Sequence, residues 1–242
     1  MQSIYKWGVI MIPYVIINGV DSRLIHGLLI QNLPPITKPK IRTEIEEIDG
    51  RDGDIITTLG YEAYDKSFSI GLHSDYDVDE VIKYFSKGGQ IIFSNEIDKV
   101  YNFGIYERID FNKLIRFKTA TVTVHVQPFK YDANEKAQTF NKNTFTVRNK
   151  GNIISRPDLN IKGTGTLYFY INDKQILTIT MPANGQIIID TAEMNARGID
   201  GKYLNRNIQG DYNNIVLEEG DNVINIVGNL EEITMNDFSR WI

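Results

Sequence analysis

Few residues in this chain have the types and spacing that chemistry requires. The densest acidic cluster is Asp49, Asp52 and Asp54, within Asp49-Gly50-Arg51-Asp52-Gly53-Asp54. A calcium loop needs oxygen ligands at alternate positions, then glycine at the sixth and glutamate at the twelfth. Arg51 stands where a second ligand belongs, so the two Asp-Gly pairs read as turns rather than as a metal site. The three histidines are His26, His73 and His125. A nucleophilic triad needs one of them beside a Ser or Cys with an orienting carboxylate, and no Gly-x-Ser-x-Gly elbow is present. The adjacent carboxylates Glu218-Glu219 and Glu231-Glu232 would face opposite sides of a strand and cannot flank one glycosidic bond. Gly163-Thr164-Gly165-Thr166 lacks the lysine and the following helix of a phosphate loop, and reads as a tight turn into a strand. Tyr168 and Tyr170 share one strand face opposite Leu167 and Phe169, so one of these pairs can form an exposed platform for a sugar ring. No catalytic residue, no metal ligand set and no cofactor is expected.

Composition narrows the partners. The chain has 242 residues, is 42% hydrophobic and 24% charged, and carries a net charge of −5, which excludes a broad basic face for nucleic acid. There is no cysteine, so disulfides and thiolate metal sites are excluded. The opening "MQSIYKWGVIMIPYVII" is apolar but is broken by Lys6 and Pro13, and no small-residue cleavage site follows; it is not expected to be a signal peptide. Met11 offers an alternative start just before the first strand-like run. No run approaches the roughly 20 apolar residues needed to span a membrane.

The elements that would position any site are mostly short strands split by Gly, Asn and Asp. Residues 14–18 run into Asn18-Gly19, residues 24–33 stop at Pro34-Pro35, and 65–73 alternate Phe68, Ile70 and Leu72 against Ser67, Ser69 and Gly71. Over 75–89 the period becomes helical through Val78, Val81, Ile82 and Phe85. Asp77 and Glu80 have capping-box spacing, and Gly88-Gly89 can end what is expected to be the only helix. Residues 90–94 return to strand, and 99–111 are aromatic and ambiguous. The clearest strand is 115–129, with Val122, Val124 and Val126 opposite Thr121, Thr123, His125 and Gln127; Pro128 should end it or place it at an edge.

A polar stretch around 130–140 suggests two domains, 1–135 and 136–242. The second is read as strands at 144–149, 158–163, 166–173, 175–181, 186–190, 222–227 and 231–235. Hairpin signals stand at Asn172-Asp173, Asn184-Gly185, Gly220-Asp221-Asn222 and Gly228-Asn229. This is the pattern of a β-sandwich or jelly roll large enough to fold alone.

One segment fits neither core nor linker. "IRTEIEEIDGRDGDI" (41–55) places Ile41, Thr43 and Ile45 on one side and Arg42, Glu44 and Glu46 on the other. Pro34, Pro35 and Pro39 launch it as an extended arm, and the turns at Gly50 and Gly53 should bring the chain back to the strand at 65–73. A charged arm, two β-rich domains and no reaction centre suit an assembly protein better than an enzyme.

The order of these pieces resembles the distal tail protein family, the tail-tip hub of long non-contractile-tailed phages (siphophages) of Gram-positive bacteria. The resemblance rests on "YVIINGVDS", the arm followed by "DKSFSIGL", the helix before "GGQIIFS", "NKGNIISRPDLNIKGTGTLYFYIND", "GDYNNIVLEEGDNVINIVG" and the closing "SRWI", and it covers almost the whole chain. It implies a mainly β fold: an N-terminal β-sandwich or barrel-like ring domain with one helix and a belt arm at about 34–55, and a C-terminal galectin-like jelly roll. It further implies a homohexameric, non-enzymatic ring in the virion tail tip or baseplate, assembled in the host bacterial cytoplasm. Its partners would be the tail tube protein, the tip protein and receptor-binding proteins, with DNA passing through the channel and no membrane contact. The first eleven residues depart from the family's usual start, and the chain has no room for an inserted carbohydrate-binding module.

By this reading the arm residues Ile41, Arg42, Thr43, Glu44, Ile45, Glu46, Asp49 and Arg51 form the interface with a neighbouring copy, through strand pairing on its sheet edge. The alternative is that the C-terminal domain binds host cell-surface carbohydrate; hydrolysis of cell-wall sugar ranks below it.

Overall fold

Asn18 and Gly19 both take left-handed conformations (φ 49° and 81°), which folds β1 (Val15–Ile17) directly onto β2 (Val20–Asp21). This hairpin opens a computed structural model that describes residues 12–50, 52–104, 109–236 and 238–242. The chain divides into two units, one ending at Ala133 and the other Asn134–Ile242.

The first unit continues with β3 (Leu28–Ile30), β4 (Ile41–Glu47), β5 (Asp54–Tyr61), β6 (Tyr64–Leu72), α1 (Val78–Tyr84), β7 (Gly89–Phe93), β8 (Lys99–Gly104), α2 (Phe111–Phe117) and β9 (Thr119–Asp132). Among the described residues, seven of its strands form an antiparallel sheet in the order β2-β1-β7-β8-β9-β6-β3, while β4 and β5 pair only with each other. The alternation read in the sequence sets the core. Phe68, Ile70 and Leu72 of β6 and Val122, Val124 and Val126 of β9 are buried, joined by Phe93, Tyr101, Val81 and Phe85.

Several boundaries differ from expectation. A second helix, α2, occupies 111–117, where a strand was expected to begin at 115. Asp110 caps it by accepting from the Lys113 N–H at 2.9 Å, and Lys118 ends it in a left-handed conformation (φ 59°). With seven residues and, among the described side chains, Leu114 as its buried one, α2 leaves little periodic signal. The strand at 24–33 shrinks to Leu28–Ile30, because Ser22–Leu24 form a 3-10 turn and Gly27 is left-handed (φ 69°). Nor does Pro128 end β9. Pairing with β8 jumps from Phe103↔Val126 to Tyr101↔Lys130, and pairing with β6 stops at Val126. Pro128 therefore sits in the bulge of the β8–β9 ladder and beyond the end of the β6–β9 ladder, where neither needs its missing N–H.

Asp77 caps α1 as expected, accepting from the N–H groups of Asp79 (2.9 Å) and Glu80 (3.3 Å). The other half of the capping box is used differently: Glu80 accepts from the backbone N–H of His26 at 3.2 Å. The helix ends at Phe85, ahead of Gly88-Gly89. Gly89 serves a close approach instead. A Cβ there would lie 2.1 Å from Asn18 Oδ1, which accepts from the Gln90 N–H at 2.9 Å.

The second unit comprises β10 (Gln138–Phe140), β11 (Thr144–Asn149), β12 (Asp158–Ile171), β13 (Lys174–Thr180), β14 (Gln186–Asp190), β15 (Asn195–Arg197), β16 (Ile208–Gly210) and β17 (Gly220–Asn236). The two long strands β12 and β17 pair from Asp158↔Asn236 to Ile171↔Ile224. Near Asp158 their outer neighbours are β14 and β10; near Ile171 they are β13 and β11. The result is a β-sandwich around Leu159, Ile161, Leu167, Phe169, Ile224, Ile226, Ile233 and Met235.

Each long strand was expected as two. The breaks in alternation at 163–166 and at Gly228-Asn229 are register irregularities within continuous strands. A Cβ on Gly228 would lie 2.6 Å from the Thr166 carbonyl oxygen, so the glycines let the paired strands bend together. Asn172-Asp173 form the expected hairpin turn (φ 49° and 64°), whereas Gly220-Asp221-Asn222 open β17 rather than turn a hairpin.

Candidate functional site: the arm and its root

The arm leaves the sheet through residues 34–40, which form no regular element. Three side chains hold its backbone. Asn95 Nδ2 donates to the Pro34 carbonyl at 3.0 Å, Lys66 Nζ to that of Pro35 at 2.8 Å, and the Tyr64 hydroxyl to that of Thr37 at 3.4 Å. Proline at 34 and 35 favours the extended backbone that presents these carbonyls.

Lys66 is buried, and its neighbourhood explains how. Lys130, also buried, donates to Glu96 Oε1 at 3.0 Å, and the Tyr101 hydroxyl donates to Glu96 Oε2 at 2.5 Å. Lys66 Nζ stands 5.1 Å from the centre of the Tyr101 ring. Lys130 thus holds the carboxylate directly, while Lys66 senses it only through its charge and is held by carbonyl and aromatic dipoles. Burial pushes the Lys66 pKa down, Glu96 pulls it back up, and Lys130 adds to the depression. Burial, the hydrogen bond to Glu96 and its charge push the Tyr101 hydroxyl far above its ordinary value.

Sequence reading missed these residues, although a signal was there. Lys66 falls in step with Phe68, Ile70 and Leu72, and Lys130 with Val122, Val124 and Val126, so both lysines occupy inward positions on paired strands.

The arm is a hairpin. β4 pairs with β5 from Ile41↔Tyr61 to Glu47↔Asp54, with Leu59 as an extra residue between Thr43↔Thr58 and Arg42↔Gly60. Ile41, Arg42, Thr43, Glu44, Ile45 and Glu46 all lie on β4 and are exposed; Asp49 is in the connecting turn; Arg51 lies outside the described residues. Gly50 and Gly53 are left-handed (φ 80° and 78°), so the turns form as expected. They return the chain to β5, however, not to the strand at 65–73, and the arm extends to Tyr61. Residues 54–61 lack a buried face, so their strand character leaves no core alternation to read. At the base, the Glu62 N–H donates to the Lys40 carbonyl at 2.8 Å.

Ile45 and Ile56 stand opposite each other on one face, 58% and 63% exposed, with Leu59 at 54%. A two-stranded hairpin is marginal in water on its own, and this one carries exposed aliphatic surface as well.

In the second unit the tyrosines of β12 turn outward while Leu167 and Phe169 are fully buried. Tyr168 faces Val227 on one side and Thr178 on the other. Around it, Tyr170 donates to Gln175 Oε1, Gln175 Nε2 to Thr178 Oγ1, and Thr144 Oγ1 to Asn225 Oδ1, each at 3.1 Å. His125 forms a 2.6 Å pair with Asp65 across β6 and β9, on the polar side of the sheet. Among the described residues no group of three or more His, Cys, Asp or Glu is gathered as metal ligands, and no helix is long and apolar enough to cross a membrane.

No family model and no curated protein matches the chain. Solved structures do. The SPP1 Dit protein (gp 19.1), described as a paradigm of the hub adsorption apparatus in phages infecting Gram-positive bacteria, aligns with a TM-score of 0.65 and 16% identity, over 96% of this chain and 100% of that one. A chain of the phage P2 baseplate, in its activated conformation with Ca, aligns with a TM-score of 0.51 and 11% identity, over 94% and 100%. The chain has the fold of these phage hub and baseplate proteins, the kind of protein that the sequence resemblance also names.

Proposed function

We propose that this chain is a structural component of a phage tail tip. In this reading six copies close into a hub ring that joins the tail tube to the tip protein. Residues 1–135 form the ring, and the galectin-like unit after them faces receptor-binding proteins. The ring is built in the host cytoplasm, stays in the virion and performs no catalysis. One observation carries the proposal: in a chain with a hub fold, a hairpin with exposed aliphatic residues stands outside the sheet, its two strands pairing, among the described residues, only with each other. A ring needs a heterologous contact that closes, and a projecting hairpin that lies on the next copy supplies one. The carboxylates along the arm favour one register and oppose indiscriminate edge pairing. Native mass measurement is expected to find a sixfold species, alone or as two rings back to back. Monomer alone at high concentration would count against a self-sufficient ring.

The outward tyrosines favour a second reading, host-glycan binding by residues 136–242. Tyr168 offers a ring face, and the neighbouring hydroxyls and amides hold one another in place, which lowers the ordering cost of a polar ligand. Tyr168→Ala should then abolish retention of the intact protein on neutral cell-wall oligosaccharides. No retention of the unmodified protein would sink this reading.

A further inference from the structure

On the first unit a groove of about 290 Å³ opens between the β1–β2 hairpin and α1. Its walls are aliphatic and aromatic: Ile17, Val20, Ile25 and Tyr84. Tyr84 fixes it by donating its hydroxyl to the carbonyls of Val15 (3.1 Å) and Val20 (3.0 Å). Lys83 and Lys87 stand at the rim, and neither has an ion-pair partner among the described residues. The rim carboxylate, Glu80, is engaged by the His26 N–H. The groove is thus apolar within and basic at its lip.

The hairpin has the opposite character. Residues 41–54 carry six carboxylates (Glu44, Glu46, Glu47, Asp49, Asp52, Asp54) against two arginines. Its Ile45/Ile56 pair has no cover, so the hairpin of the same copy does not fill the groove. The seven residues of β4 give a reach of about 23 Å at roughly 3.3 Å per residue, enough to cross onto an adjacent copy.

The geometry points to this groove as the seat of the hairpin of a second copy, with Ile45 and Ile56 against Val20 and Tyr84 and the carboxylates of that same face, Glu47 and Asp54, toward Lys83 and Lys87. The inference rests on the ring reading and names the surface that receives the fastener. Knob and socket lie on different surfaces of one chain, so the contact is heterologous, and each copy both gives and receives. The apolar pair supplies burial, and the charges steer the encounter and set its polarity.

The chain has no cysteine, so introduced thiols report a single chosen pair. Val20 and Thr58 are both exposed, and Thr58 lies two residues from Ile56 on the same hairpin face. Copies carrying Val20→Cys are co-expressed with copies carrying Thr58→Cys and treated with a short bismaleimide. A cross-linked dimer is expected from the mixture and from neither variant alone, with unchanged melting of each variant confirming its fold. Lys83→Glu with Lys87→Glu should weaken assembly by about tenfold or more, and adding Glu47→Lys with Asp54→Lys, the cross-strand pair on the Ile45/Ile56 face, should restore it. A ring that forms without the cross-link, or a charge swap without rescue, overturns the groove assignment and leaves the ring reading standing. Monomers without the cross-link overturn both.

Discussion

Replacing residues 41–61 by a four-residue Gly-Ser linker is expected to leave a folded protomer and abolish the ring. The ends of the excised segment already meet, since the Glu62 N–H donates to the Lys40 carbonyl at 2.8 Å. None of the removed residues belongs to the buried core of the first unit. Among the described residues, the aromatic contact that the fold loses is Tyr61 against Phe129, at 5.4 Å between ring centres. Loop-closure entropy changes by only about 0.6 kcal/mol per doubling of length, so the shorter connection should not harm the protomer. The assembly loses its projecting element entirely. Native mass and thermal melting, taken together, read the two effects separately. Hexamers of undiminished stability would show that the arm is not the fastener, and a protein that no longer melts cooperatively would show that the arm supports its own fold. Ile45→Asp with Ile56→Asp is the milder form: assembly should weaken while the melting transition stays in place.

Sequence patterns revealed structure wherever a segment had one buried face. Val122, Val124 and Val126 or Phe68, Ile70 and Leu72 can alternate only because the sheet has an inside, and water enforces that alternation. Local turn chemistry was equally legible at Asn18-Gly19, at Asn172-Asp173 and at the Asp77 cap, where a single residue type decides the backbone. The arm was half legible. Its charges and prolines announced an extended segment, but β5 has no burial to impose a period, so its pairing with β4 could not be read. Gly163 and Gly228 misled for another reason: glycine marks a turn and a bend alike, and only the facing backbone tells them apart. Lys66 and Lys130 were visible by position but not by purpose, because their carboxylate comes from the 3-10 turn Ser94–Glu96, distant in sequence from β9.

That carboxylate yields the other large expected effect. Glu96→Ala should destabilise the first unit by about 3–5 kcal/mol, the usual cost of removing one partner from a buried ion pair. Lys130 and Glu96 are only 8% and 11% exposed as side chains, so neither can turn to solvent when the other is lost. The substitution takes from Lys130 its hydrogen-bonded carboxylate, leaving only the charge of Asp98 to act on it, takes the acceptor from the Tyr101 hydroxyl and removes the charge that offsets Lys66. Lys66→Met alone should cost far less. It leaves the Pro35 carbonyl without its donor, but it also removes a buried charge that burial already disfavours. Combined, the two substitutions should cost less than their sum by about 0.5–3 kcal/mol, because the second relieves the charge exposed by the first. The root of the arm should loosen as well: amide exchange over residues 36–41 is expected to quicken in Lys66→Met even where the melting point hardly moves. Chemical denaturation of the four proteins in this cycle measures the coupling directly. Strict additivity would mean that Lys66 and Glu96 do not sense each other, and the cluster would then reduce to a Lys130–Glu96 pair with a separate lysine holding the arm.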